Sequence, residues 1–211
     1  MPIARTAFDV QLGNQFFSVR LDDESAKLNV NMVFESNGRT DLKDCVRKVA
    51  ELGQLAFNPL VATDRREETT QQRFESLGEL LCVNEPIGEA TDQQLLPGCL
   101  RVASESITCW GHSLNFNLAE KEVVFQAAKA IAGTTNANKI VRQLGKIPID
   151  QILEELSVDA SKMKTIKHWF RMESSAQSVW VVNHNGIRTR YSLSVREQMT
   201  KTLVRYNSFQ W

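Results

Sequence analysis

The chain has 211 residues, zero formal net charge, 42% apolar and 24% charged residues. This is the balance of an ordinary globular protein of one or two domains. No apolar run approaches the length of a membrane-spanning helix, and MPIARTAFDVQ lacks the apolar centre of a secretory signal, so a cytoplasmic location is expected. Neutrality hides an asymmetry. Residues 1–118 hold 11 Lys+Arg against 17 Asp+Glu, a balance of −6, and residues 119–211 hold 14 against 8, a balance of +6. A basic half suits a polyanion or an acidic partner, and an acidic half does not.

In chain order, residues 6–35 read as a β-meander. FDVQL and QFFSVRL flank the turn Gly13-Asn14, and closure there puts Phe8, Val10, Leu12, Phe17 and Val19 on one face. Leu28, Val30, Met32 and Phe34 alternate with Lys27, Asn29 and Asn31, which predicts a third strand with one wet face. Asp22-Asp23-Glu24-Ser25 is the connecting turn, with its acids in solvent. Thr40 caps a helix running to about Phe57, with Leu42, Cys45, Val46, Val49, Leu52 and Leu55 at helical spacing. The strands and this helix are expected to share a core. Asp64 and Glu67 make a capping box for a helix to about Leu81. A loop with Pro86, Gly88, Pro97 and Gly98 follows.

Leu100–Trp110 and Ser113–Leu118 read as two further strands around Gly111-His112. Asn117 and Glu120 then open a helix to Ala132, with Gly133 as its stop. A second helix, capped in Thr134-Thr135-Asn136, ends at Gly145. Pro148 sits in the first turn of a short helix leading into a basic helix over Lys162–Met172. There Met163, Ile166, Trp169 and Phe170 share one side, and Lys164, His168 and Arg171 the other, with Lys162 and Lys167 on the flanks. Asn185-Gly186 is a strong hairpin signal. Closure there puts Trp180, Val182, His184, Ile187, Thr189 and Tyr191 on one face, and Val179, Val181, Asn183, Arg188, Arg190 and Ser192 on the other. Val195, Met199, Leu203 and Tyr206 predict a last helix, followed by the terminal aromatics Phe209 and Trp211.

The order helix, turn, basic helix, hairpin resembles a winged helix-turn-helix DNA-binding domain over residues 119–193. TIKHWFRM resembles its recognition helix, and NGIRTRYSL its wing. The resemblance implies a protein that binds nucleic acid, DNA rather than RNA, through Lys162, Lys164, Lys167, His168, Arg171, Arg188 and Arg190. The expected fold class is α+β. An acidic domain over 1–118, an antiparallel sheet with packed helices, would serve oligomerisation or partner binding. A basic helical domain with a β-hairpin, winged-helix-like, would follow over 119–211. The bland alternative is an amphipathic helix packed on a hairpin in an ordinary α+β domain. The functional alternative is an assembly or scaffold subunit, as a homo-oligomer or with a protein partner.

Catalysis is not expected. No P-loop, GxGxxG, HExxH or GxSxG occurs, and no Ser or Cys nucleophile lies near His112, His168 or His184 in sequence. Cys45, Cys82, Cys99 and Cys109 read as buried free thiols. Cys109-x-x-His112 has metal-like spacing, but no fourth ligand suggests itself. No metal and no cofactor is expected.

Overall fold

The computed structural model describes residues 5–52, 73–74, 77, 103–185, 188–197 and 208–210, with side chains for 5–36, 42, 44–46, 48–49, 73–74, 77 and 103–183. The strands are β1 (Arg5–Leu12), β2 (Gln15–Asp23), β3 (Leu28–Asn29), β4 (Ile107–Thr108), β5 (Leu114–Asn115), β6 (Phe170–Arg171), β7 (Ala176–Asn185), β8 (Arg188–Glu197) and β9 (Ser208–Gln210). The helices are α1 (Val30–Leu52), α2 (Lys121–Gln143), α3 (Ile149–Glu154) and α4 (Ala160–Trp169). The protein is mixed α/β. One five-stranded antiparallel sheet has the order β1-β2-β7-β8-β9. Two small parallel pairings, β3 with β4 and β5 with β6, tie the connecting segments together.

The N-terminal hairpin closes where the sequence places it, with Leu12 opposite Gln15, Val10 opposite Phe17 and Phe8 opposite Val19. Its second strand pairs with β7 from the other end of the chain, Val19 lying opposite Val181. Strands from both sides of residue 118 therefore share one sheet. One buried apolar cluster also draws on both sides, with Leu28, Val46 and Ile107 beside Val124, Ile140, Ile152 and Ile166.

The expected third strand lasts only two residues, Leu28–Asn29, and becomes helix α1 from Val30. Residues 27–33 are buried without a break, so the supposedly wet positions Lys27, Asn29 and Asn31 are interior. Each buried amide is satisfied. Asn29 Oδ1 accepts from the backbone N–H of Asn31 and Met32 at 3.0 and 3.2 Å, which caps α1. Asn29 Nδ2 donates to the carbonyls of Trp110 and Gly111, and Asn31 Nδ2 to those of Phe74 and Cys109. Leu42, Cys45, Val46 and Val49 are buried on the same helix, as their spacing predicts.

Farther on, α2 bends at Gly133, whose φ of 79° and ψ of 167° are non-helical; the chain there is two helices joined at that glycine. Asp159 accepts from Lys162 N and opens α4, two residues earlier than the sequence suggests. Ile166 and Trp169 are buried on it. The helix ends at Trp169, so Arg171 lies in β6 and not on a helical face.

The C-terminal hairpin is slipped by two residues from the expected register. Asn185 pairs with Arg188 and Val182 with Tyr191, so the two faces keep their residues. Residues 195–197 continue β8 where a helix was expected, and Phe209 of β9 pairs with Leu193. Of the expected helix to Leu81 only residues 73–74 and 77 are described, with Phe74 and Leu77 buried; the loop at 84–98, Cys82 and Cys99 lie outside the described residues. Cys45 and Cys109 are buried free thiols.

The winged-helix resemblance does not survive this topology. A wing is an appendage beside a helical domain. Here β7 is hydrogen-bonded to β2 on one side, and β8 to β9 on the other. Both strands of the hairpin are interior to a sheet that begins at the N-terminus. The nucleic-acid reading built on the resemblance falls with it.

Candidate docking face and cationic cleft

Cross-strand register sorts the sheet into two faces. The inner rows run through Ala7, Asp9, Ser18, Arg20 and Asp22, then Ala176, Ser178, Trp180 and Val182 of β7. The outer rows run through Phe8, Val10, Leu12, Phe17, Val19 and Leu21, then Val179 and Val181. An antiparallel sheet with one wet face ordinarily turns its apolar rows inward. β7 obeys, with Trp180 and Val182 buried. β1 and β2 do the reverse. Phe8, Leu12, Leu21 and Val179 are 46, 65, 41 and 37% exposed on the outside. Val10, Phe17, Val19 and Val181 are half-buried between them. The shared core expected beneath this hairpin is not built from its apolar side.

The inner side of the hairpin is instead anchored by charge. Lys27 Nζ lies 2.7 Å from Asp22 Oδ2 and 2.6 Å from Glu24 Oε1, all three side chains buried. Ser178 Oγ donates to Glu24 and Ser174 Oγ to Asp23. Burial pushes the Asp23 carboxyl above its usual range, against the pull of its bonds from Ser174 and from Ser25 N–H. Arg20 lies over the Trp180 ring at 5.1 Å and donates to Ser104 Oγ at 2.6 Å. Ser175 Oγ accepts from the His112 backbone N–H and bonds to Ser25 and Ser113. The Asp22-Asp23-Glu24 turn, expected in solvent, is thus the buried electrostatic link between β2, β7 and the 103–113 segment. The sequence carried one sign of this: Lys27 sits at i+3 from Glu24 and i+5 from Asp22.

Beyond the sheet, a cleft of about 720 Å³ opens between the 112–113 loop, α3, the end of α4 and residues 170–175. His112, Lys167, His168 and Arg171 line it together with Ser113 and Ser174, over the apolar Leu153 and Phe170. The His112 and His168 rings stack with centroids 6.5 Å apart and an interplanar angle of 28°.

The site residues expected from sequence are divided by this geometry. Lys162, Lys164, Lys167, His168 and Arg171 are all exposed. Only Lys167, His168 and Arg171 line the cleft. Lys162 is 3.9 Å from its helix-capping Asp159. Arg188 and Arg190 occupy the outer rows of β8, opposite Asn185 and Asn183. They belong to the sheet's outer face, whereas α4 packs against α2 through the buried core. Among the described residues no group of three or more His, Cys, Asp or Glu could hold a metal ion, and no helix is long and apolar enough to cross a membrane.

No protein-family model matches the chain, and no curated protein matches it. Among solved structures it is similar to a chain of the GspK–GspI–GspJ complex of the type 2 secretion system of enterotoxigenic Escherichia coli. The TM-score is 0.46 at 12% identity, over 97% of this chain and 83% of that chain.

Proposed function

We propose that the protein is a non-catalytic subunit of a multiprotein assembly, and that it docks through the outer face and open edge of the β1–β2 hairpin. The observation that carries this reading is the inverted hairpin. A lone domain gains by turning Phe8, Val10, Leu12, Phe17, Val19 and Leu21 toward its own core. This one presents them outward, Phe8, Val10 and Leu12 on the eight-residue edge strand β1 and Phe17, Val19 and Leu21 on its neighbour β2. An exposed apolar edge strand is a standing invitation to another chain, which soluble proteins normally block with charge, proline or a bulge. β1 has none of these on its outer row.

The occupant is a strand of a different protein subunit added beside β1, with apolar side chains over Phe8 and Leu12. The outer rows of β8 hold Arg188, Arg190 and Arg196 at register positions flanking the patch. The partner surface is therefore acidic on the side that reaches β8.

A photo-cross-linking amino acid at position 12, introduced in the cells that make the protein, tests this. The expected result is a discrete protein adduct from position 12 and none from position 146, an exposed lysine that follows α2. Mixing the purified adduct partner with the Phe8→Asp, Leu12→Asp double variant should give no complex. Absence of any adduct at position 12 contradicts the reading, and an adduct of twice the chain's own mass puts a second copy in the partner's place.

A further inference from the structure

The cleft beside His112 and His168 is independent of the docking face. It brings together two fixed cations and two imidazoles from separate segments. Lys167 and His168 come from the last turn of α4, Arg171 from β6 and His112 from the loop after β4. Among the described residues Lys167 and Arg171 have no ion-pair partner. The two acids in the lining, Asp150 and Glu173, are exposed and bond to none of the four. Two imidazoles stacked 6.5 Å apart repel each other once both carry protons. An oxyanion placed against them removes that repulsion and uses the neighbouring Lys and Arg as donors. Leu153, Phe170 and Met172 supply an apolar wall.

From this juxtaposition we propose that the cleft binds a small organic oxyanion, a carboxylate or phosphate carried on an apolar body. The anion contacts Lys167, Arg171 and the two imidazoles, and the body lies along Phe170 and Leu153. A cleft of this volume accommodates a group of that size. The groups facing the imidazoles are Lys167, Arg171, Asp150 and Glu173. Imidazoles gain positive charge as pH falls through the physiological range, so an anion that stays ionised there binds more tightly at the lower pH.

The test is a titration of the full chain with benzoate and, separately, phenyl phosphate, followed by NMR of its three histidine rings. The expected result is a saturable shift of His112 and His168 but not of His184, with benzoate tighter at the lower pH. Whichever probe binds more strongly identifies the head group. Lys167→Ala and Arg171→Ala, both at exposed positions, should each weaken binding about tenfold. Lys146→Ala, at an exposed lysine outside the cleft, should leave it unchanged. Shifts that do not saturate, that move His184 in parallel, or that survive both cleft variants would show simple ionic screening and overturn the proposal.

Discussion

Val19 of β2 lies directly opposite Val181 of β7, on the outward row of the sheet. The pair joins the first hairpin to the last one and sits half-exposed where a sheet normally hides its valines. The inversion makes a contrast that can be measured in the isolated chain. Leu12→Ser, at 65% exposure, should change unfolding free energy by less than about 0.5 kcal/mol. Trp180→Ala, on the buried inner row of the same sheet, should cost about 3–5 kcal/mol. Urea denaturation of both variants checks this, and a large loss for Leu12→Ser would mean that the outer face is covered by the chain itself.

Lys27 neutralises two buried carboxylates, so its loss is not a simple deletion. Lys27→Met leaves Glu24 buried without a cation, while Asp22 keeps Arg5 and Arg20 at 3.2 and 2.9 Å, and should destabilise by about 3–5 kcal/mol. Adding Glu24→Gln, which removes the stranded charge, should recover part of that loss. A double-mutant cycle in denaturant measures the coupling.

Gly111 has φ near +81°, and a Cβ built there would come within 2.9 Å of Ser175 Oγ and 3.2 Å of Ala176 Cβ. Strain and crowding act together, because Ser175 is held by Ser25, Ser113 and the His112 N–H. Gly111→Ala should cost about 2 kcal/mol or more. Gly13→Ala, also at positive φ but in open space, should cost only the conformational part, about 1 kcal/mol. Thermal melts of the two variants rank them.

Burial raises the Asp23 carboxyl above its ordinary value of 3.8, so the folded chain holds that proton to higher pH than the unfolded chain does. Its contribution is fully present below the ordinary value and is lost as pH rises through the raised one. The stability of the native chain relative to Asp23→Asn should therefore fall across the pH range just above 3.8. Denaturation of both proteins at several pH values in that range gives the slope. A difference that rises with pH would contradict the assignment.

Local patterns were legible where one rule governs a segment. The alternation around Gly13-Asn14 carries the register of β1 with β2, and the side of α4 that holds Ile166 and Trp169 follows from spacing alone. Gly133 and Gly145 mark helix ends because each adopts positive φ. The start of α1 was illegible for a physical reason. When residues 27–33 are all buried, polar and apolar positions no longer separate by exposure, and Asn29 and Asn31 mimic a wet strand face while bonding inside. The slip of the second hairpin by two residues was hidden because it leaves every face unchanged. The buried Asp22-Glu24-Lys27 cluster was missed because acids in a turn are ordinarily solvated. Which side of the first hairpin faces out could not be read from period two, which sorts residues into faces without saying which one is covered.

The cleft was half visible. Lys167, His168 and Arg171 stand close in sequence, but His112 reaches them through the pairing of β5 with β6, Leu114 opposite Phe170, and through the bonds of His112 N–H and Ser113 to Ser175. A two-residue parallel bridge leaves no periodic trace.

Hydrogen exchange of β1 with and without the partner recovered from position 12 tests the docking claim most directly. The amides of residues 5–12 facing away from β2 should become strongly protected in the complex, while those of α4 should not change. Unchanged exchange along β1, with protection appearing at α4 instead, would contradict it.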